Sequence, residues 1–333
     1  MMFKIDPTES APTMSYRYPE TDPSRLHGLK SGFMFEGLCC AATLYEAAGA
    51  ALPSKAPAIL MVHGWSGVQR ALTVPFIQRF VDAGYAVMEF DYPGFGASAG
   101  WPRQNINPWR WVRVADAALA HLKSQSQVDA DRIVLWGTSF GGGHVVDLAA
   151  EHPELLGAIA QVPMLDGMAA VGAVPILRML KFGLYALADL LKPGRPVYIP
   201  SVASPGQFGT MDRDGARQAL MSGTAAAGIS FDNRVTARSV LTMGPYRPIR
   251  RLRRLRIPTL LIGATRDTVA PFVEKAVRAS APDCVQLCSI DANHFEPYFE
   301  PAFSVNVGHQ LRFLQALLSP ERPVCTAPTR LDE

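Results

Sequence analysis

Three separated stretches of this sequence hold side chains able to perform nucleophilic catalysis together, and the first is Gly137-Thr138-Ser139-Phe140-Gly141. It lies between an apolar run, 132–137, and a glycine-opened segment of helical character, 140–151. A serine on a sharp strand-to-helix turn holds a strained backbone. Glycine two residues to either side lets the neighbouring chain pass without a Cβ clash. The helix that follows presents a partly positive amino end and unpaired amides to any anion formed there. A serine hydroxyl is a weak nucleophile until a base removes its proton, so this chemistry demands a histidine and a carboxylate to orient it.

Of seven histidines, His27, His63, His121, His144 and His152 fall in the leading arm, at the end of an early strand, or on helices around the serine. His294 and His309 alone follow every candidate acid. His294 sits in a loop directly after the last apolar strand, where the carboxyl end of a strand can carry an imidazole over Ser139. His309 lies inside the terminal helix. Asp267, after the preceding strand, gives the chain order Ser, Asp, His; Asp166 competes but suits a helix cap better, and Asp291 reads as a turn residue. The tetrahedral intermediate needs backbone donors, expected from the amides of Phe140 and of Trp65 in the loop His63-Gly64-Trp65-Ser66-Gly67. His63 itself reads as structural. A triad of Ser139, Asp267 and His294 requires no metal and no organic cofactor.

Such residues need a rigid frame, and the hydrophobic rhythm supplies one. A hairpin is expected at 32–45, then apolar runs at 58–62, 85–90, 132–137 and 157–162 alternate with helical stretches at 74–83, 107–123 and 140–151. Short, wholly apolar runs suit strands buried on both faces, so the fold class is α/β, a doubly wound, mostly parallel sheet. The rhythm breaks from Asp166 to about Arg256, where apolar helical stretches and Pro/Gly turns dominate, and resumes with strands at 257–263 and 284–290 and helices at 273–279 and 305–318. The expected organisation is an extended arm (1–30), a core (31–165 and 257–320), an inserted helical lid (166–256) and a tail (321–333). In the lid, Leu177, Met179, Leu180, Phe182, Leu184 and Tyr185 form an apolar set, and Leu177, Leu180 and Leu184 are expected to line the substrate pocket.

Composition bounds the partners. The 333 residues are 48% hydrophobic and 18% charged, as in ordinary globular proteins, and the net charge is +3. Lys and Arg are dispersed except in the run from Arg247 to Arg256, which excludes nucleic acid as a partner. Within that run Ile249, Leu252 and Leu255 recur every third residue, predicting a helix with a buried apolar stripe and a solvated basic face. Five cysteines imply no disulfide framework, and Met1 to Met14 lacks the pattern of a secretory leader, so a reducing cytoplasm is expected. The apolar stretch from Ala169 to Leu191 is interrupted by Pro175, Arg178, Lys181 and Asp189; it reads as an amphipathic helix rather than an integral membrane segment. The expected partner is a small-molecule substrate, with homo-oligomerisation left open.

Taken together, the His63 to Gly67 loop, Asp91-Tyr92-Pro93-Gly94-Phe95-Gly96, the Ser139 motif, Asp267 and His294 resemble the α/β-hydrolase superfamily over about residues 30 to 320. Within it the chain looks most like bacterial esterases allied to dienelactone hydrolases and prolyl peptidases. That resemblance implies a serine hydrolase acting on a carboxylic ester or related acyl bond of a small, apolar substrate through an acyl-enzyme. Two other readings stay open: a C–C bond hydrolase or peptidase using the same triad, and a catalytically silent ligand-binding protein on this scaffold. Dienelactone hydrolases carry cysteine where this chain has Ser139, and the region ahead of the first parallel strand is too short for the propeller of prolyl oligopeptidases.

Overall fold

A computed structural model describes residues 16–49, 55–192 and 194–319. The chain enters through a hairpin of β1 (Gly28–Phe35) and β2 (Leu38–Tyr45), closed at Glu36 and Gly37. β1 begins at Gly28, three residues inside the stretch expected to be arm. β3 (Ala56–Val62), α1 (Val74–Asp82) and β4 (Ala86–Phe90) follow, then α2 (Pro108–Lys123), β5 (Val128–Thr138), α3 (Phe140–Ala149) and β6 (Gly157–Gln161). The next ninety or so residues add no strand to the main sheet. They hold α4 (Gly167–Gly172), α5 (Ile176–Leu190) and α6 (Ala216–Ala226), with a small ribbon of β7 (Tyr198–Ile199) and β8 (Val235–Thr236). β9 (Thr259–Ala264), α7 (Glu274–Ser280), β10 (Val285–Ile290) and α8 (Ala302–Leu318) complete the fold.

The eight-stranded sheet runs β1-β2-β4-β3-β5-β6-β9-β10. The hairpin joins β4 antiparallel, and every pairing from β4 to β10 is parallel. Every residue of β4, β6 and β9 is buried, as is Ala58 to Val62 of β3. That is why these strands read as unbroken apolar runs rather than alternating ones. α1 meets α8 on one face, where the Phe76 ring contacts those of Phe80, Trp136 and Phe303; α2 meets α3 on the other, where Tyr92 stacks on Trp111 with centroids 3.8 Å apart. α2 starts where Asn107 accepts a hydrogen bond from the Arg110 amide and Pro108 opens the first turn; it buries Trp111, Val114, Ala115, Ala118 and Leu122 in one stripe.

The basic run folds as a 3-10 helix, Pro248–Arg254, with Leu252 and Leu255 buried. The every-third-residue spacing is the period of a 3-10 helix, in which residues i and i+3 eclipse. Cys39, Cys40 and Cys288 are free thiols, whereas Cys284 is engaged in a disulfide, contrary to the expectation of reduced cysteines throughout. Among the described residues no helix is long and apolar enough to cross a membrane.

Candidate active site

Ser139 stands between the end of β5 and the start of α3 with φ 55° and ψ −123°, a region L-residues rarely adopt. The turn is held by its backbone: Ser139 N donates to Gln161 O at 3.0 Å, and Ser139 O accepts from Gly142 N and Met164 N, both at 2.9 Å. The flanking glycines are required by space. A Cβ on Gly137 would lie 2.4 Å from Gly141 O, and one on Gly141 would lie 2.2 Å from Val62 O. α3 thereby packs directly against the backbone of β3 and brings its amino end up to the serine.

The strands β9 and β10 deliver the other two side chains. His294, in the loop after β10, places Nε2 2.9 Å from Ser139 Oγ and Nδ1 2.6 Å from Asp267 Oδ2. Asp267 follows β9, and its second oxygen accepts from the amides of Val269 and Ala270, both at 2.8 Å. His294 and Asp267 are buried, so the relay is screened from bulk water. His309, on α8, contacts Arg312 at the surface, and Asp166 caps α4 while pairing with Arg247.

Across from the serine, the loop after β3 carries Trp65, whose ring meets Phe140 edge-on with centroids 5.3 Å apart. Two buried acidic side chains, Glu89 on β4 and Asp91 directly after it, hold this loop from beneath. Asp91 accepts from the Gln69 amide at 2.9 Å and the Ala97 amide at 2.9 Å, and Glu89 accepts from the Arg70 amide at 2.9 Å and from Thr73 Oγ1 at 3.0 Å. His63 Nε2 lies 3.8 Å from Glu89. Burial pushes the Glu89 carboxyl up to about 7 and the His63 imidazole down to about 4, so both favour their neutral forms.

Residues 53–294 match the family described as serine aminopeptidase, S33. The chain belongs to the serine aminopeptidase S33 family. Its relatives include the quorum-quenching protein AidA of Acinetobacter baumannii (strain MDR-ZJ06), 34% identical over 79% of this chain and 87% of that protein. Among solved structures, the hypothetical protein PA2218 of Pseudomonas aeruginosa superposes with a TM-score of 0.74 at 18% identity, covering 93% of this chain and 99% of that one. The α/β hydrolase GrgF of Penicillium sp. sh18 gives 0.70 at 21% identity, covering 87% and 98%. At those identities the structures speak for the α/β-hydrolase fold, and the S33 family makes this protein a hydrolase.

Two small cavities, of about 50 and 60 Å³, flank Ser139 in this S33 hydrolase. The first is bounded by His63, Trp65, Leu72, Leu220, His294 and Tyr298, the second by Phe140, Met164, Val174, Met243, Val269 and Arg213. Leu177, Leu180 and Leu184, expected to line the pocket, line neither. They are 79%, 60% and 69% exposed. Polar anchoring sets the rotation of α5: buried Asp189 accepts from Arg238 Nε at 2.7 Å and from the Val197 amide at 2.8 Å, which turns the leucines outward. The pocket wall comes instead from Ala170 on α4, from Val174 just before α5, and from 210–213.

Sequence reasoning also missed a buried polar chain under the serine. Thr138 Oγ1 bonds Tyr298 OH and accepts from Gln161 Nε2 at 3.0 Å; Gln161 Oε1 accepts from Asn306 Nδ2 at 2.7 Å and Gln310 Nε2 at 2.8 Å; Gln310 Oε1 accepts from Trp136 Nε1 at 2.7 Å. It ties β5 and β6 to α8 and to the turn after His294. The one signal in the sequence was polar residues at core-facing positions, Gln161 at the end of an apolar strand and Asn306 and Gln310 one turn apart on a helix.

Proposed function

We propose that this hydrolase cleaves a carboxylic ester, or a related acyl bond, through a covalent acyl-serine. The observation that carries the reading is the unbroken relay Ser139 Oγ, His294, Asp267, with contacts of 2.9 and 2.6 Å. In this scheme His294 Nε2 takes the proton as Ser139 Oγ bonds to the carbonyl carbon, and Asp267 supports the imidazolium. The carbonyl oxygen becomes an anion facing the amides of Phe140, in the first turn of α3, and of Trp65. His294 passes its proton to the leaving oxygen as that bond breaks. A water then repeats the attack and releases the acid.

The family description includes aminopeptidases, which bind a free ammonium beside the scissile bond. Among the described residues lining the two cavities, Asp212 is the carboxylate, and both of its oxygens are ion-paired, to Arg178 and to Arg213. With the carboxylate so neutralised and the walls apolar, an acyl ester is favoured over an aminoacyl amide. The test is a panel of short acyl esters, lactones, β-diketones and aminoacyl amides, combined with a fluorophosphonate probe. Because one relative is described as a quorum-quenching protein, small signalling molecules join that panel. Esters are expected to turn over, and Ser139→Ala is expected to abolish both turnover and labelling. Labelling that survives Ser139→Ala would remove this serine from the chemistry, and turnover of diketones or amides alone would replace the ester assignment.

A further inference from the structure

The outer face of α5 is an apolar row on which none of the described residues packs. Ile176, Leu177, Leu180, Leu184, Leu187 and Leu191 are each between 53% and 79% exposed. From Leu177 onward the leucines recur at alternating three- and four-residue steps, which sets them in one line along the helix, opposite the inward Phe182, Ala186 and Asp189. Single exposed leucines are ordinary on a protein surface. A continuous row four turns long marks a surface that another apolar phase covers.

Charge selects the occupant. Between residues 167 and 200 the basic side chains are Arg178, Lys181, Lys192 and Arg195, and the one acid is Asp189, which is buried and bound to Arg238. Lys181, Lys192 and Arg195 stand exposed beside or beyond the row. Pairing two copies through this face would set those cations against their own counterparts, with no exposed acid on the segment to answer them. An anionic lipid surface accepts the leucines in its acyl boundary and the cations at its headgroups. The row is also continuous with the reaction site: Val174, two residues before Ile176, walls the cavity that contains Ser139.

We propose that the outer face of α5 docks this protein on an anionic lipid surface, so that the cavity beside Ser139 receives amphiphilic acyl substrates from that layer. The docking stands on the helix alone, and the choice of substrate rests on the acyl-hydrolase reading above.

The test is co-sedimentation of the full chain with phosphatidylcholine vesicles, with and without phosphatidylglycerol. The wild type is expected to bind the anionic vesicles and to bind the neutral ones more weakly. The double substitution Leu180→Glu, Leu184→Glu is expected to weaken that binding at least about tenfold while turnover of a water-soluble short ester changes less than about twofold, since both side chains already face solvent. Equal vesicle binding by wild type and variant would overturn the proposal. So would a wild-type dimer in light scattering that the double substitution splits, which would assign the row to a second copy. Binding gained only after deletion of 1–15 or 320–333 would assign the row to the chain's own terminus and equally overturn it. Vesicle binding by a wild type that hydrolyses no ester would support docking and count against the acyl-hydrolase reading, so the two failures are distinguishable.

Discussion

Gln161→Met tests whether the buried polar chain under Ser139 holds the site in shape. Gln161 is fully buried and makes three side-chain hydrogen bonds, one to Thr138 and two from Asn306 and Gln310. Methionine keeps the length and removes all three. Each partner retains another bond: Thr138 to Tyr298, Asn306 to the Pro297 carbonyl, and Gln310 to Asn306. The loss is therefore that of three ordinary hydrogen bonds, at about 1 kcal/mol each and partly offset by the added apolar burial, rather than of three orphaned groups, and comes to about 2–3 kcal/mol. Taking an unfolding entropy of about 2.1 cal/mol/K per residue over 333 residues, roughly 0.7 kcal/mol/K, Tm should fall by about 3–4 °C. Because Thr138 precedes Ser139, the proposed nucleophile, kcat for a soluble ester should also fall, by about tenfold, with KM held within about twofold. Differential scanning calorimetry and steady-state kinetics on the same preparation give both numbers. A Tm within about 1 °C of wild type, or a loss confined to KM, would refute the positioning role.

Asp267→Asn should lower kcat by about 10⁴-fold with the fold intact, because the Val269 and Ala270 amides claim the amide oxygen, leaving the NH₂ to face His294 Nδ1 and forcing the proton onto Nε2, where Ser139 needs an acceptor. Activity above about a tenth of wild type would show that Asp267 does not orient the base. Between about pH 4.5 and 6.5 folded Glu89, raised to about 7 by burial, keeps a proton the unfolded chain loses, and folded His63, lowered to about 4 by burial, lacks a proton the unfolded chain holds, so the first makes stability fall with rising pH and the second makes it rise. Relative to wild type, Tm should then decline with pH in His63→Asn and climb with pH in Glu89→Gln; parallel Tm profiles for the three proteins would contradict this.

How much of this could be read from residue order depends on whether a feature is local. The strands β3, β4, β6 and β9 were legible because burial on both faces demands unbroken apolar runs, and boundaries read from them differ from the structure by one or two residues. Ser139, Asp267 and His294 were legible because each lies directly after a strand of a parallel sheet, and all such turns open on one edge. The orientation of α5 was not. Its leucine spacing defines an apolar face but not its direction, and what decides the direction is Asp189 meeting Arg238, 49 positions along the chain. Glu89 and Gln161 were opaque for the same reason, since each is a polar residue in a buried strand whose justification is a set of distant donors.

The stretch from 166 to 256 couples to the reaction site through the loop that carries the Trp65 amide. Trp65 Nε1 donates to Thr210 Oγ1 at 3.0 Å, Thr210 Oγ1 donates to the Ser201 carbonyl at 2.7 Å, and the hydroxyls of Ser66 and Ser201 lie 2.6 Å apart, so two consecutive residues of the loop are tied to that stretch. Ser66 holds a left-handed φ of 54°, a conformation that persists only where surrounding contacts enforce it. The other side of the loop is pinned by Glu89 on β4 and by Asp91 directly after it. Thr210, Met211, Asp212 and Arg213 of the same stretch line the cavities beside Ser139. The loop after β3 is thus bonded from the sheet on one side and from the inserted stretch on the other, so in the proposed scheme a substitution at Thr210 or Ser201 reaches the Trp65 amide through side-chain hydrogen bonds.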